Sequence, residues 1–362
     1  MKRFCSGVCA AIVAGLAAAA WVAAATEVGA SDMAKAFAAE CAAKAAAAEA
    51  GGSIAVTGSE EGWLFLAAEL RHLGVGRFWG EDAPRASRAA KAECADPLPA
   101  ILDFQRQLKA ADVELLVVPV PAKAAIYPDR LSEAIKVENR AAPPSLDVAD
   151  QAFCDALRAA GVAVVDLTPA FLAERFNMEG PLFCKEDSHW SGNGCVVAAK
   201  EIAGGIKDRP WLKERKAVRF STQWRAIEVT GDLRAPGVSE PAEKRPARFV
   251  GTRAGKDDLE PIADDRAGPI VLLGDSSNLV FHAGGDLYAV GAGLPDQLAL
   301  ELGLALDVVA VRGSGATAAR INFVRRIQAN PDYLKGKRLV IWCFAAREFT
   351  QGDGWRLLPL AK

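Results

Sequence analysis

The sequence predicts an α/β fold: a mostly parallel five-stranded sheet covered by helices on both faces. Short apolar runs bounded by turn residues alternate with helical patterns, the spacing of successive βαβ units. Several of those runs are continuously apolar, as strands buried on both faces require. A chain of 362 residues can hold one large domain of this kind or two smaller ones.

The elements follow in order. Residues 1–25 read as an export signal, with Lys2 and Arg3 as a positive start, Ala10 to Ala20 as an apolar stretch, and Ala23-Ala24-Ala25 offering small residues for cleavage. The apolar stretch from Val8 approaches bilayer-spanning length, so an uncleaved inner-membrane anchor is the alternative. Either way the chain is expected to be exported from the cytoplasm. Residues 26–60 form a lead-in whose Ala-rich helix, 31–50, is weakly amphipathic and suits the surface better than the core. A main domain spans 61–350 and a tail 351–362. Ala100 to Ala110 is helical, and Val113 to Pro121 forms a strand. Asp147 to Ala160 is helical, Gly161 to Asp166 a strand, and Pro169 to Phe176 and Cys195 to Ile206 are helices. Pro269 to Leu273, Leu306 to Val311 and Arg338 to Phe344 supply three more strands, separated by helices at Pro295 to Leu302 and Ala316 to Gln328. Residues 207–268, rich in Arg, Lys, Pro and Asp, interrupt this rhythm as an insertion with β-like pieces at Ala217–Thr222 and Trp224–Val229.

Composition excludes several classes. Net charge is −2 and no basic run interleaves with aromatics, so nucleic acid is not an expected partner. There is no P-loop, no G-x-G-x-x-G after a strand, no H-E-x-x-H and no G-x-S-x-G elbow. With His72, His189 and His282 scattered, no metal and no cofactor are expected. Past residue 25, Cys41, Cys94, Cys154, Cys184, Cys195 and Cys343 permit disulfides by their even number, although none has C-x-x-C spacing. Cys343, inside an apolar run, reads as a buried thiol.

In a parallel sheet, functional groups gather at the carboxyl edge. The strand ending at Leu273 delivers Gly274-Asp275-Ser276, where glycine permits a sharp turn and the Ser276 N–H can face a developing oxyanion. A capped strand-end turn would look the same. Asp187 and His189 stand two apart in a polar loop, so in extended backbone they project to one side. The carboxylate could then hold the imidazole tautomer that leaves its other nitrogen free as a base. A capping loop with a surface histidine is the bland alternative. His72, in a charged helical segment, reads as a surface residue, and His282 as a weaker rival base.

These residues carry a resemblance. Asp187-Ser188-His189-Trp190-Ser191 resembles the D-[ST]-H-W-[ST] motif of the alginate O-acetyltransferase family, the AlgJ/AlgX type of SGNH hydrolase-like proteins, and Leu273-Gly274-Asp275-Ser276 resembles its nucleophile turn. Gly62 to Phe65, Val118 to Lys123 with Tyr127-Pro128, Leu294 to Ala299 and Trp342 to Phe349 are similar to further blocks, so the likeness covers about residues 60–350. The resemblance implies an SGNH hydrolase-like three-layer sandwich with Ser276 as nucleophile, His189 as general base and acid, and Asp187 as its orienting partner. It implies periplasmic acetyl transfer to an exopolysaccharide. The acetyl group would come through a membrane-bound O-acyltransferase, beside other exopolysaccharide secretion proteins. Only a short tail follows Arg347-Glu348-Phe349, as in the shorter AlgJ-type members, so no carbohydrate-binding module is expected after this block. The usual oxyanion asparagine is not evident; Gly313 is the candidate second donor and Asn278 a poorer one. Arg347 is a candidate substrate-binding residue, with an ion pair to Glu348 or another surface carboxylate as its alternative. A carbohydrate esterase using the same three residues, and a non-catalytic polysaccharide-binding or assembly protein, remain open.

Overall fold

The computed structural model describes residues 31–137, 143–235, 237, 241–253, 255, 258–313 and 315–360. The segment read as an export signal lies outside the described residues. After a helix over residues 31–50, β1 (Ala55–Thr57) and β2 (Leu64–Leu66) form a small antiparallel pair. The chain then lays down β3 (Glu114–Val120) and β4 (Ala163–Val164). Next come β5 (Ser221–Val229), β6 (Glu243–Arg253) and β7 (Leu259–Pro261), and finally β8 (Ile270–Gly274), β9 (Asp307–Ala310) and β10 (Leu339–Ala345).

The central sheet has the order β4-β3-β10-β8-β9, and every pairing in it is parallel. Its strands alternate between two cores because successive side chains point to opposite faces. Leu116, Val118, Leu272, Ile341 and Cys343 pack on one face with Ile202 and Leu298, from the helices Gly192–Ile206 and Leu294–Leu302. Val117, Leu273, Val340 and Trp342 pack on the other with Phe104 and Phe323, from Pro97–Ala110 and Ala316–Ala329. Burying each such side chain contributes about 1.5–3 kcal/mol, which is why the strands carry no polar face. The last strand, β10, sits mid-sheet between β3 and β8. The loops leaving these three strands therefore open at one edge, where crevices form in such sheets.

The insertion forms a three-stranded antiparallel sheet, β5-β6-β7. Of the two β-like pieces read from the sequence, Trp224–Val229 falls within β5, while Ala217–Thr222 overlaps it only at Ser221 and Thr222. The sequence reading missed β6, because its run Glu243-Lys244-Arg245-Pro246 has no apolar alternation. β6 lies directly on the helix Gly192–Ile206: a Cβ at Gly192 would stand 2.9 Å from the Ala247 Cβ. Arg248 adds a hydrogen bond of 2.8 Å to Gln297 on the neighbouring helix.

The helix over 31–50 departs from its expected surface position. Ala34, Phe37, Cys41 and Ala45 are all buried. Their spacing of three and four makes one stripe, and its small residues allow a close approach: a Cβ at Gly74 would stand 2.7 Å from that of Ala42. The six described cysteines are free thiols, Cys343 among the five that are buried. Among the described residues no helix is long and apolar enough to cross a membrane.

Candidate active site

The loop after β8 is built around two fixed points. Gly274 ends the strand where nothing larger fits, since a Cβ would lie 1.8 Å from the Cys343 carbonyl oxygen and 2.3 Å from the Asn278 Nδ2. Asp275 then ties the turn together: Oδ1 accepts from the Ser277 N–H at 2.9 Å and Oδ2 from the Ala345 N–H at 2.7 Å. Ser276 opens a single 3-10 turn, Ser276–Asn278, with its side chain half-buried at the rim.

The second loop is closed by a bridge between Phe183 and Trp190 and ends where Ser191 caps the helix Gly192–Ile206. Trp190 donates its indole N–H to the Ser277 carbonyl at 2.9 Å, fastening one loop to the other. His189 then stands between two partners. Its Nε2 lies 2.8 Å from Ser276 Oγ and its Nδ1 lies 2.7 Å from Asp187 Oδ1, which also accepts the His189 backbone N–H at 2.8 Å. The second Asp187 oxygen accepts from the Asp232 N–H at 3.1 Å and from the Tyr288 hydroxyl.

Asp187 is almost wholly buried, and burial alone would raise its pKa; the hydrogen bonds and charge of His189 and the Tyr288 hydroxyl outweigh that and hold it at about 2. Burial likewise opposes charge on His189, but the Asp187 hydrogen bond and the Asp187 and Asp232 charges raise its pKa above the ordinary value. An ionised Asp187 keeps the imidazole proton on Nδ1, so Nε2 faces the Ser276 hydroxyl with its lone pair. That arrangement suits nucleophilic attack by a deprotonated alcohol.

Asp232 and Tyr288 were missed in the sequence reading. Asp232, after β5, accepts from the Ser188 N–H and hydroxyl, both at 2.6 Å. Tyr288 reaches Asp187 from a left-handed backbone conformation, φ 70°. A non-glycine residue held there typically costs about 1–3 kcal/mol and persists only where its surroundings require it. Asp187, His189 and Asp232 present ligand-type atoms within 4.8 Å of one another. Both Asp187 oxygens are already engaged by protein donors, so the set serves as a hydrogen-bond chain. Removing the Asp232 charge removes one influence that raises His189. Asp232→Asn is therefore expected to move the acid limb of the kcat/KM–pH profile to lower pH, and an unchanged limb would remove Asp232 from the electrostatics of the site.

The remaining sequence candidates are placed as follows. Asn278 is fully buried and its Nδ2 donates to the carbonyls of Cys343 (2.8 Å) and Asp275 (3.2 Å), so its amide hydrogens hold the turn. Gly313 stands exposed on the loop after β9 with φ 68°. Arg347, just past β10, pairs with Glu69 at 3.0 Å, and its charge opposes protonation of His189. His282 sits 2.9 Å from Asp296 and 3.6 Å from Asp264; burial disfavours its charge, but these carboxylates raise its pKa to about 9. His72 is not a surface residue: its Nε2 lies 3.0 Å from Asp150 Oδ1 and its Nδ1 2.9 Å from Thr350 Oγ1. The polar pattern of its helix concealed this because the partners lie far along the chain.

A parallel three-layer sheet with Ser276 and His189 meeting at its carboxyl edge is an SGNH hydrolase-like α/β domain. Residues 56–346 match the family described as "SGNH hydrolase-like domain, acetyltransferase AlgX", and the chain belongs to that family. It is 27% identical over 263 residues to the "Probable alginate O-acetylase AlgJ" of Pseudomonas syringae pv. tomato, covering 70% of this chain and 62% of that protein. It is 27% identical over 260 residues to the protein of that name from Pseudomonas fluorescens, covering 67% and 59% respectively. The chain thus spans about three fifths of the length of these relatives. Among solved structures, the O-acetyltransferase domain of Pseudomonas putida AlgJ shares the fold, with a TM-score of 0.57 and 21% identity over 82% of this chain and 91% of that one. Pseudomonas aeruginosa AlgX also shares it, with a TM-score of 0.55 and 18% identity over 81% and 62%.

Proposed function

We propose that this chain is a periplasmic O-acetyltransferase that acetylates hydroxyls of an exopolysaccharide, alginate-like in kind, through an acetyl-serine intermediate. The observation that carries this reading is the unbroken chain Ser276 Oγ–His189 Nε2, 2.8 Å, and His189 Nδ1–Asp187 Oδ1, 2.7 Å. The family and the names of the AlgJ relatives support acetyl as the group moved and a polysaccharide as its acceptor.

In the first half-reaction Ser276 Oγ attacks the acetyl carbonyl while His189 Nε2 takes the hydroxyl proton. The tetrahedral intermediate collapses, the donor's leaving group departs with that proton, and acetyl-Ser276 remains. In the second, His189 takes the proton of a sugar hydroxyl, that oxygen attacks the acetyl carbon, and the proton returns to Ser276 Oγ. The Ser276 and Gly313 N–H groups are the proposed oxyanion donors; one such donor is commonly worth about 2.7–4 kcal/mol. Arg347 is the proposed substrate-binding cation, with its pairing to Glu69 fixing its direction. The acetyl group arrives through a membrane-bound O-acyltransferase, and other exopolysaccharide secretion proteins complete the assembly.

Product analysis tests the reading. With a chromogenic acetyl ester and an oligouronate acceptor, the expected product is O-acetylated oligosaccharide, detected as an added acetyl mass. Free acetate alone, at a rate indifferent to acceptor, would assign an esterase instead. No turnover of any acetyl ester, alongside polymer binding, would assign a non-catalytic assembly protein.

A further inference from the structure

Lys123 lies behind the His189 loop, fully buried, at the start of the short helix Lys123–Ile126 that follows β3. Its ammonium meets four main-chain carbonyls: Leu64 at 2.6 Å, Cys184 at 2.9 Å, Lys185 at 3.0 Å and Asp187 at 2.6 Å. An ammonium carries three N–H donors and no acceptor, so it suits a cage made only of carbonyl oxygens, whereas a neutral amine would turn a lone pair toward one of them. Three of the four carbonyls belong to the loop carrying Asp187 and His189, and one is that of Asp187 itself. Without a cation at their centre, these converging dipoles would repel, and the Lys185 carbonyl would keep only the Leu64 N–H at 3.0 Å.

We propose that Lys123 is a positioning residue for the active site: an internal cation that gathers the carbonyls of Cys184, Lys185 and Asp187 and so fixes the Asp187 carboxylate against His189. This rests on the acetyl-transfer reading for its kinetic consequence but not for its geometry. Lys123 touches neither Ser276 nor His189, so it acts through Asp187. The charges facing Lys123 are Glu69, which accepts its backbone N–H at 3.4 Å, together with Asp187 and Asp232. Those facing His189 are Asp187, Asp232 and Arg347, with the Ser188 and Ser276 hydroxyls beside the ring. Burial outweighs the support of Glu69, the Cys184 thiol, Asp187 and Asp232 and lowers the Lys123 pKa below its ordinary value, while the ring of four carbonyl oxygens accepts from the charged form.

The test is Lys123→Met, which keeps length and apolar volume while removing the cation. In the full chain, kcat for acetyl-ester turnover is expected to fall by about 10²-fold, the scale of a small misplacement of reacting groups, with KM little changed. A second readout does not depend on activity: the His189 imidazole pKa by NMR, assigned among three histidines by His189→Gln. Loss of a nearby positive charge by itself would raise that pKa. Loss of Asp187 alignment lowers it toward the ordinary histidine value, and this fall is the expected result. If the wild-type chain turns over no acetyl ester, the imidazole shift still decides the role of Lys123. Should Lys123→Met not fold, Lys123→Gln, which retains two N–H donors, takes the same measurements. Wild-type kcat, an unchanged or raised His189 pKa in a folded variant, or failure of both variants to fold would overturn the proposal.

Discussion

Ser276→Ala is expected to reduce acetyl-ester turnover by at least about 10³-fold and to abolish the acetylated enzyme seen by mass spectrometry. In the proposed mechanism the hydroxyl is the attacking atom, and His189 Nε2 lies 2.8 Å from it. The turn itself should survive the change. Its backbone bonds, from Leu279 N–H and Val280 N–H to the Ser276 carbonyl, do not involve the side chain. Groups that act as a unit lose their effects non-additively, so Ser276→Ala combined with His189→Ala should fall no further than either alone. Turnover within tenfold of wild type in Ser276→Ala, with normal thermal stability, would remove Ser276 as nucleophile.

Asp187→Asn is expected to cost about 10⁴-fold in kcat at neutral pH, the scale associated with the wrong imidazole tautomer. An amide oriented with its NH2 toward His189 would place a donor against Nδ1 and force the ring proton onto Nε2, which then faces Ser276 with no lone pair. In the opposite orientation the NH2 meets the Asp232 N–H, a donor against a donor. Both orientations lose a bond the carboxylate made. The sign of the pH effect also follows. Wild-type His189 has a raised pKa through Asp187, so kcat/KM falls on acidification through a value above that of an ordinary histidine. In Asp187→Asn the acid limb moves to lower pH as the plateau drops. A limb that stays in place while activity falls would show that Asp187 does not control the imidazole.

How much of this was legible in the sequence depends on where the determining contacts lie. β8, β10 and β3 after its exposed first residue Glu114 are continuously apolar because each is buried on both faces, and a local run suffices to find them. β4, an edge strand read over 161–166, is only Ala163–Val164, since Gly161 is still turning at φ 81°. The two loops were readable from short motifs whose chemistry is internal to each. Their supports were not. Tyr288 reaches Asp187 across 101 positions and Asp232 across 45, and neither carries a local pattern that announces the approach. Buried polar residues fail for the same reason: Glu69 and His72 look like one exposed face of a helix until Arg347, Asp150 and Thr350 are brought to them.

The indole clamp between Trp190 and the Ser277 carbonyl draws on none of the three side chains assigned to the chemistry. The joining of the two loops is thus an inheritance of the scaffold and does not depend on the nucleophile. A chain of this design stripped of its reactive alcohol would keep an intact mould of the working enzyme. That makes the serine-less form a natural trap for holding the intact acetyl donor long enough to be seen.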